Sequence, residues 1–387
     1  MATQERSSDE PLRIALTGGA TGGHLFPLLA VATVLRREAE TRHRQLELTY
    51  VGVPPFHRET LERSGVATYP IAATKLRRYL AVANFIDLLK FPLGLLQSLI
   101  ILYRLMPDVL LSKGGPGSVQ VVVAAWFFRI PILVHETDSI PGRANLISAR
   151  LATRIGVSFE AAKEYFPAAK VALIGNPIDP DFDRITPQAE DYDNLKLDRQ
   201  RPIVLVVGGS QGAQRINEVI VEAIPQLLPL AQVVHQIGEQ RFQETRLEAE
   251  GFILEQVPAK KHDYHPFGFI PHEHLVLLLK MADLIISRAG GSIFEIAAAG
   301  KASILVPLSA AVVGRHQIEN AYAYANTGAC TVIEEANLTS HILTSIVQKV
   351  LTDTNGREQM AVAARAFAKP AAAETVAREL LYLASQS

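Results

Sequence analysis

Thr17-Gly18-Gly19-Ala20-Thr21-Gly22-Gly23-His24 follows the apolar run 12–16, and Gly208-Gly209-Ser210-Gln211-Gly212-Ala213 follows the apolar run 203–207. Each glycine stretch leads into a helical apolar pattern, over 25–35 in the first case and 216–228 in the second. A buried strand, a glycine turn and a helix start together make an anion site. Glycine lets the main chain approach a phosphate, and the first N–H groups of the helix point at it. The same unit twice in one chain predicts an α/β protein of two Rossmann-like, doubly wound domains facing across a cleft, with a ligand between them.

Outward from the two loops, apolar β-branched runs alternate with helical patterns. Further strands are predicted over 46–53, 109–112, 132–135, 171–174, 233–237, 284–287, 304–307 and 331–333, and further helices over 293–299, 316–327, 338–351 and 375–385. Such alternation gives parallel sheets with helices on both faces. The stretch 177–202 is rich in Asp and Pro and lacks an apolar face, so it reads as the connection between an N-terminal domain over 1–179 and a C-terminal domain over 180–369. Pro370 breaks the helical pattern, and 371–387 forms a separate amphipathic helix that fits against either domain.

A length of 387 residues favours two domains, and 38 basic against 39 acidic side chains give a net charge of −1, which excludes a global basic field for nucleic acid. The lone cysteine, Cys330, excludes an intrachain disulfide and fits a reducing compartment. The polar, acidic start before the first strand carries no apolar signal region, so the chain reads as cytoplasmic. Residues 85–111 are very apolar, yet the longest uncharged stretch there, 91–103, is 13 residues and contains Pro92. Spanning a bilayer takes about 20. Two readings stand: a core-facing helix, or a helix resting on an anionic bilayer surface beside Lys75, Arg77, Arg78 and Lys90.

Several side chains bear on chemistry. The first loop lacks the G-x-G-x-x-G spacing, and the strand at 46–53 ends without the acid that reads a ribose, which argues against a nicotinamide or flavin site. His24 opens a helix whose positive end disfavours imidazolium. It reads either as a neutral base for a substrate hydroxyl or as a capping, packing histidine. Ser287-Arg288-Ala289-Gly290-Gly291-Ser292-Ile293-Phe294-Glu295 repeats the strand, turn and helix plan. Its amides at Gly291 and Ser292 suit a diphosphate, and Glu295 suits ribose hydroxyls or the helix dipole. Gln317 and Asn320 share a helix face, as readers of sugar hydroxyls or as a solvated helix start. Asp179, Asp181 and Asp183 at alternate positions hint at a divalent cation, but a solvated acidic turn explains them. His262, His265, His272 and His274 cluster without completing zinc spacing.

Taken together, these motifs resemble the MurG family, over roughly 12–383. The resemblance rests on Gly19-Ala20-Thr21-Gly22-Gly23-His24 with Pro27, His135-Glu136, Gly175-Asn176-Pro177, the 208–213 loop with Asn217, Ser287-Arg288-Ala289-Gly290, and Gln317 with Asn320. It implies a GT-B glycosyltransferase that moves N-acetylglucosamine from UDP-N-acetylglucosamine to the 4-hydroxyl of an undecaprenyl-diphospho-N-acetylmuramoyl peptide in peptidoglycan synthesis. It further implies peripheral contact with the cytoplasmic face of an anionic membrane, an N-terminal acceptor domain against which 370–387 returns, and a C-terminal donor domain. By position it implies that Thr21, Gly22 and Gly23 meet the donor sugar region and that His24 is the base. Asp138 falls in the substrate site, Ser210 meets the diphosphate, and Ile270 meets uracil through its main chain. Gly290, Gly291, Ser292, Ile293, Phe294 and Glu295 hold diphosphate and ribose, and Gln317 reads the sugar. Loop amides and helix ends stabilise departing UDP, so neither a cofactor nor a catalytic metal is required.

The chain departs from the family pattern at Ala20, where a glycine is common, at Asp138, where asparagine is usual, and at Asp179, where arginine is usual. The 290–295 loop is one residue shorter than in many members. Two alternatives share this architecture: a catalytically inactive sugar-nucleotide-binding relative, and a UDP-N-acetylglucosamine 2-epimerase.

Overall fold

A computed structural model describes residues 10–54, 58–72, 82–208, 213–310 and 314–386, with backbone alone over 82–89. Ser210 with Gly209, Gln211 and Gly212, and the basic residues Lys75, Arg77 and Arg78, lie outside the described residues. The chain divides into unit 1, Met1–Pro180 with Lys369–Ser387, and unit 2, Asp181–Ala368.

Unit 1 runs β1 (Leu12–Thr17), α1 (Gly22–Thr41), β2 (Leu46–Gly52), α2 (Arg58–Arg63), β3 (Ala67–Pro70), α3 (Val82–Leu105) and β4 (Val109–Ser112). It continues through α4 (Ser118–Phe127), β5 (Ile132–Glu136), α5 (Arg143–Ser148), β6 (Arg154–Val157) and β7 (Val171–Leu173). Its sheet is parallel in the order β3-β2-β1-β4-β5-β6-β7. Unit 2 runs α6 (Ala189–Asn194), β8 (Ile203–Val207), α7 (Gln214–Leu227), β9 (Gln232–Gln236), α8 (Phe242–Gln256), β10 (Tyr264–Phe267) and α9 (His272–Met281). Then come β11 (Leu284–Ser287), α10 (Ser292–Ala299), β12 (Ser303–Leu305), α11 (His316–Ala325), β13 (Cys330–Val332), α12 (Ser340–Thr352) and α13 (Thr354–Phe367). This second sheet is parallel in the order β10-β9-β8-β11-β12-β13. The final helix, α14 (Ala372–Ser385), belongs to unit 1.

Both sheets are Rossmann-like, with the order reversing between β1 and β4 in one and between β8 and β11 in the other. The central strands are buried on both faces, which is why they read as continuous apolar runs. One face of the first sheet packs Leu12, Ile14 and Leu16 against Leu28 and Leu35 of α1 and against Val376, Leu380 and Leu383 of α14. Its other face packs Ala15, Leu110 and Val134 against Val121 and Val122 of α4. Each fully buried Val or Leu contributes about 1.5–3 kcal/mol by leaving water, so the tail helix is bound to unit 1 by its apolar stripe.

Three strands, β3, β6 and β10, were not among those the periodicity predicts. β3 and β10 are the outer strands at one end of their sheets, and an edge strand keeps only one neighbour. That edge position tolerates Pro266 within β10, whose missing N–H would break a central ladder. The stretch 177–202 also differs from its reading as a connection. From Asp181 onward it belongs to unit 2, anchored by buried Phe182 and Leu197. Lys280 stands 5.1 Å over the Phe182 ring and donates to the Ile185 carbonyl at 2.6 Å. Two isolated anchors leave no periodic apolar face to read.

The apolar stretch at 85–111 faces the core along one side only. Leu102 and Ser98 of α3 are buried, while Leu93, Leu96, Ile100 and Tyr103 form an outward stripe at helical spacing. Leu96 is 55% and Tyr103 68% exposed, and Trp126 of α4 is 55% exposed. Among the described residues no helix is long and apolar enough to cross a membrane.

Candidate functional site

In open parallel sheets ligands bind outside the carboxyl ends of the strands, where the order reverses. In unit 1 that place is occupied by the loops after β1 and β4. Thr21 precedes α1 in extended conformation, and the amides of His24 and Leu25 donate to its carbonyl at 3.0 and 3.1 Å. Tyr50, fully buried on β2, holds the first loop by donating to the carbonyls of Gly18 at 2.8 Å and Val53 at 3.1 Å.

His24 is half-buried at the loop's exit, its Nδ1 3.0 Å from the Thr21 hydroxyl oxygen. Burial first, and then the Lys113 charge, push its pKa down to about 4, with Asp138 opposing. The imidazole is therefore neutral at physiological pH. Glycines make room for it: a Cβ on Gly19 would stand 2.9 Å from its Nδ1, and one on Gly115 would stand 3.2 Å from its Nε2. Gly115 has φ +83, and Gly114 and Gly117 beside it are also left-handed.

Beneath the loop lies a buried polar network. The Lys113 ammonium, 3% exposed, bonds His135 Nδ1 at 2.7 Å, Thr137 Oγ1 at 2.6 Å and Asn176 Oδ1 at 3.0 Å. His135 Nε2 lies 2.8 Å from the Gly175 carbonyl, an acceptor, so Nε2 carries the ring proton and Nδ1 receives from Lys113. The Glu136 carboxylate accepts from the amides of Asp138 and Gly142 at 2.9 and 3.0 Å and from Asn145 Nδ2 at 2.9 Å. Burial, with the nearby Asp138, raises the Glu136 pKa. Asp138 is half-buried in the turn above this carboxylate.

In unit 2 the turns after β8 and β11 hold the equivalent place. Gly208 closes tightly on α7, since a Cβ there would meet Ala213 N at 2.8 Å. Asn217 of α7 is buried; it donates to the Ile237 carbonyl at 2.9 Å, and its Oδ1 lies 3.1 Å from His235 Nε2. His235 Nδ1 lies 3.0 Å from the Tyr264 hydroxyl, and burial lowers the His235 pKa to about 3.

At the α10 turn, Ile293 and Phe294 donate to the carbonyls of Gly290 and Gly291 at 3.2 Å, so the amides just before them point out of the helix end. The Ile293 and Phe294 side chains are buried, Phe294 stacking on Phe367 at 5.8 Å, which leaves only their main chain for a ligand. Ile270 is likewise buried. Ser292 Oγ is 3.1 Å from Ser287 Oγ and 3.3 Å from the Arg288 carbonyl. Glu295 is half-buried one residue beyond Phe294. Gln317 accepts the Leu308 amide through Oε1 at 3.0 Å, so its Nε2 donor faces Gly290. Asn320 donates to the Ala289 carbonyl at 3.1 Å, and Arg288 is clamped to Glu335 at 2.6 Å and to the Val306 carbonyl at 3.1 Å.

Two models of glycosyltransferase family 28 match the chain, that of the N-terminal domain over residues 14–157 and that of the C-terminal domain over 203–376. A UDP-N-acetylglucosamine–N-acetylmuramyl-(pentapeptide) pyrophosphoryl-undecaprenol N-acetylglucosamine transferase of Treponema pallidum is 35% identical over 374 residues, covering 95% of this chain and 94% of its own. A namesake from Bacillus cereus is 34% identical over 87% of this chain and 91% of its own. The crystal structure of Acinetobacter baumannii MurG superposes with a TM-score of 0.70 at 25% identity, over 96% of this chain and all of that one.

The chain belongs to the MurG family.

Its two Rossmann-like units are those of a GT-B glycosyltransferase. A UDP-N-acetylglucosamine 2-epimerase from Neisseria meningitidis also superposes, with a TM-score of 0.66, but at 14% identity that likeness extends to the fold alone.

Of the residues singled out from the sequence, Thr21, Gly22, Gly23, His24 and Asp138 belong to unit 1, with the charge of Asp138 acting on His24, and 290–295 with Gln317 belong to unit 2, where Gln317 Nε2 faces Gly290. Lys113, Tyr50, Asn145 and Glu335 were not singled out from the sequence. A signal for Lys113 was present: Lys113-Gly114-Gly115 follows a strand directly, as the other two glycine turns do. Among the described residues no group of three or more His, Cys, Asp or Glu is placed to hold a metal ion, and Asp181 of the alternating acidic run pairs with Arg184 at 3.2 Å.

Proposed function

We propose that this protein transfers N-acetylglucosamine from UDP-N-acetylglucosamine to lipid-linked N-acetylmuramoyl peptide, the donor and acceptor that its relatives' names give for them, and that the acceptor group is the 4-hydroxyl. The observation that carries the reading is the match along 95% of the chain, which takes in both glycine-loop units. Within it, His24 is the base. In the tautomer whose Nδ1 donates to the Thr21 hydroxyl oxygen, Nε2 holds the lone pair. The acceptor oxygen attacks the anomeric carbon, its proton passes to Nε2, and the bond to the diphosphate breaks with UDP taking the electron pair. One displacement inverts the donor's α linkage to β.

Unit 2 holds the donor. The amides at the start of α10 meet the diphosphate, Glu295 accepts from the ribose hydroxyls, Gln317 Nε2 donates to the sugar, and Ile270 offers its main chain to uracil. Ser210 is assigned to the diphosphate by its place in the sequence. Main-chain dipoles stabilise the charge on departing UDP without reorganising.

Unit 1 receives the acceptor at the cytoplasmic membrane face. The exposed stripe of α3 with Trp126 of α4 is an apolar face that suits the headgroup boundary, with exposed Lys90 and Arg104 suited to anionic lipid.

The test is donor labelled in its sugar, incubated with lipid-linked N-acetylmuramyl peptide. Label in the lipid product supports transfer. Label released only as a C2 epimer in the absence of acceptor indicates an epimerase, and donor binding without turnover indicates an inactive relative.

A further inference from the structure

Lys113 has no part in the transfer chemistry above, yet its side chain makes three hydrogen bonds beneath the first glycine loop. An ammonium has three protons to give, and each goes to a neutral acceptor: His135 Nδ1, Thr137 Oγ1 and Asn176 Oδ1. Neutral acceptors satisfy hydrogen bonds without cancelling charge. The nearest embedded carboxylate, that of Glu136, is itself engaged by two backbone amides and Asn145. Burial lowers the Lys113 pKa to about 7, with Glu136 and Asp138 opposing, so below that pH a positive charge is held in a low-dielectric pocket under the loop.

The same geometry brings it to His24. A Cβ on Gly18 would lie 3.4 Å from the Lys113 Cβ and 3.5 Å from the His24 Cβ, so both side chains flank one glycine. The charged groups that face His24 are Lys113, at the end of β4, and Asp138, in the turn after β5, and they act in opposite senses. The first turn of α1 contributes no acid, and Thr21 is the neutral partner.

We propose that Lys113 and Asp138 are positioning residues that set the proton occupancy of His24, the buried ammonium repelling a proton and the carboxylate drawing one in. The balance leaves the imidazole free to accept a substrate proton. This rests on His24 being the base, but its test does not. The sign follows from the charges. Burial first, and then the Lys113 charge, keep His24 neutral down to about pH 4, with Asp138 opposing. Remove the ammonium and the imidazole protonates at higher pH; remove the carboxylate and it protonates at lower pH.

The experiment is nitrogen-15 NMR of the full-length protein at pH 5–5.5, reading the protonated-to-neutral ratio of His24 with His24→Asn as assignment control. Lys113→Met raises the ratio about tenfold, the equivalent of one pKa unit, which like charges at close range commonly produce. Lys113→Arg, which keeps the charge, leaves the ratio near that of the unmodified protein, and Asp138→Asn lowers it. An unchanged ratio in Lys113→Met, or in Asp138→Asn should Lys113→Met not fold, overturns the proposal. Undiminished turnover in His24→Asn would instead remove His24 as base and leave the NMR result standing.

Discussion

Gly115→Ala separates what the glycine loops do for the fold from what they do for the reaction. Gly115 sits at φ +83, and a Cβ there would lie 2.8 Å from Gly19 Cα, 2.9 Å from Gly19 N and 3.2 Å from His24 Nε2. The left-handed conformation costs an alanine roughly 1–2 kcal/mol. The steric term is separate. Ordinary contact begins at 3.4 Å, so the first loop must retreat by about 0.6 Å. The loop cannot yield cheaply, because Tyr50 holds the Gly18 carbonyl from below. Misplacement of a reacting group on the ångström scale costs about 10²-fold in rate.

Gly117→Ala is the matched control. Its φ is +84, but the added methyl would meet Val53 Cγ2, a side-chain tip, at 3.0 Å. Both variants should lose about 1–2 kcal/mol in urea denaturation from the backbone term, and Gly115→Ala more than Gly117→Ala because its methyl also meets the Gly19 main chain. Only Gly115→Ala should lose turnover, by about 10²-fold, in the labelled transfer assay. Equal losses of turnover in the two variants, or none in Gly115→Ala, would refute the assignment of this turn to the imidazole's seat.

Further expectations follow from the same geometry. His24→Ala should lower kcat by about 10²–10⁴-fold, the usual contribution of a general base, while calorimetric UDP affinity persists; the acid limb of kcat/KM should fall near pH 4, through the pKa at which the folded protein protonates His24. Glu295→Ala should weaken UDP binding in titration calorimetry, and equal affinity would remove it from the ribose. His235 protonates at about 3 when folded, against roughly 6.5 unfolded. The unfolded chain therefore binds the extra proton between these values, and stability is lost as pH falls, by about 1.4 kcal/mol per pH unit across that window. His235→Gln should flatten that slope in denaturation measured from pH 7 to 4.

Much of this architecture was legible because the central strands are buried on both faces and read as apolar runs, with glycine following within three residues at β1, β4, β8 and β11, the strands where the order reverses. The periodicity gives the edge strands β7 and β13 but not β3 or β10, and β10 carries His265 and Pro266, residues that only an outer position excuses. The attachment of the tail was equally hidden. The amphipathic pattern of α14 fixes that it buries Val376 and Leu380, not that their partners are Leu28 and Leu35. In the site, glycine turns and His24 could be read from local order. The turn at Lys113-Gly114-Gly115 was readable in the same way, but the bonding of Lys113 was not, because its partners lie 22 to 63 positions away. Tyr50 is similar, a buried aromatic whose hydroxyl serves a loop 32 positions earlier.

Transfer itself is the most direct measurement. Purified protein, UDP-N-acetylglucosamine labelled in the sugar and a lipid-linked N-acetylmuramyl peptide should give a lipid product carrying the label through a β-1,4 bond, together with one UDP for each sugar moved. UDP release without labelled lipid, or a C2 epimer formed in the absence of acceptor, would contradict the account.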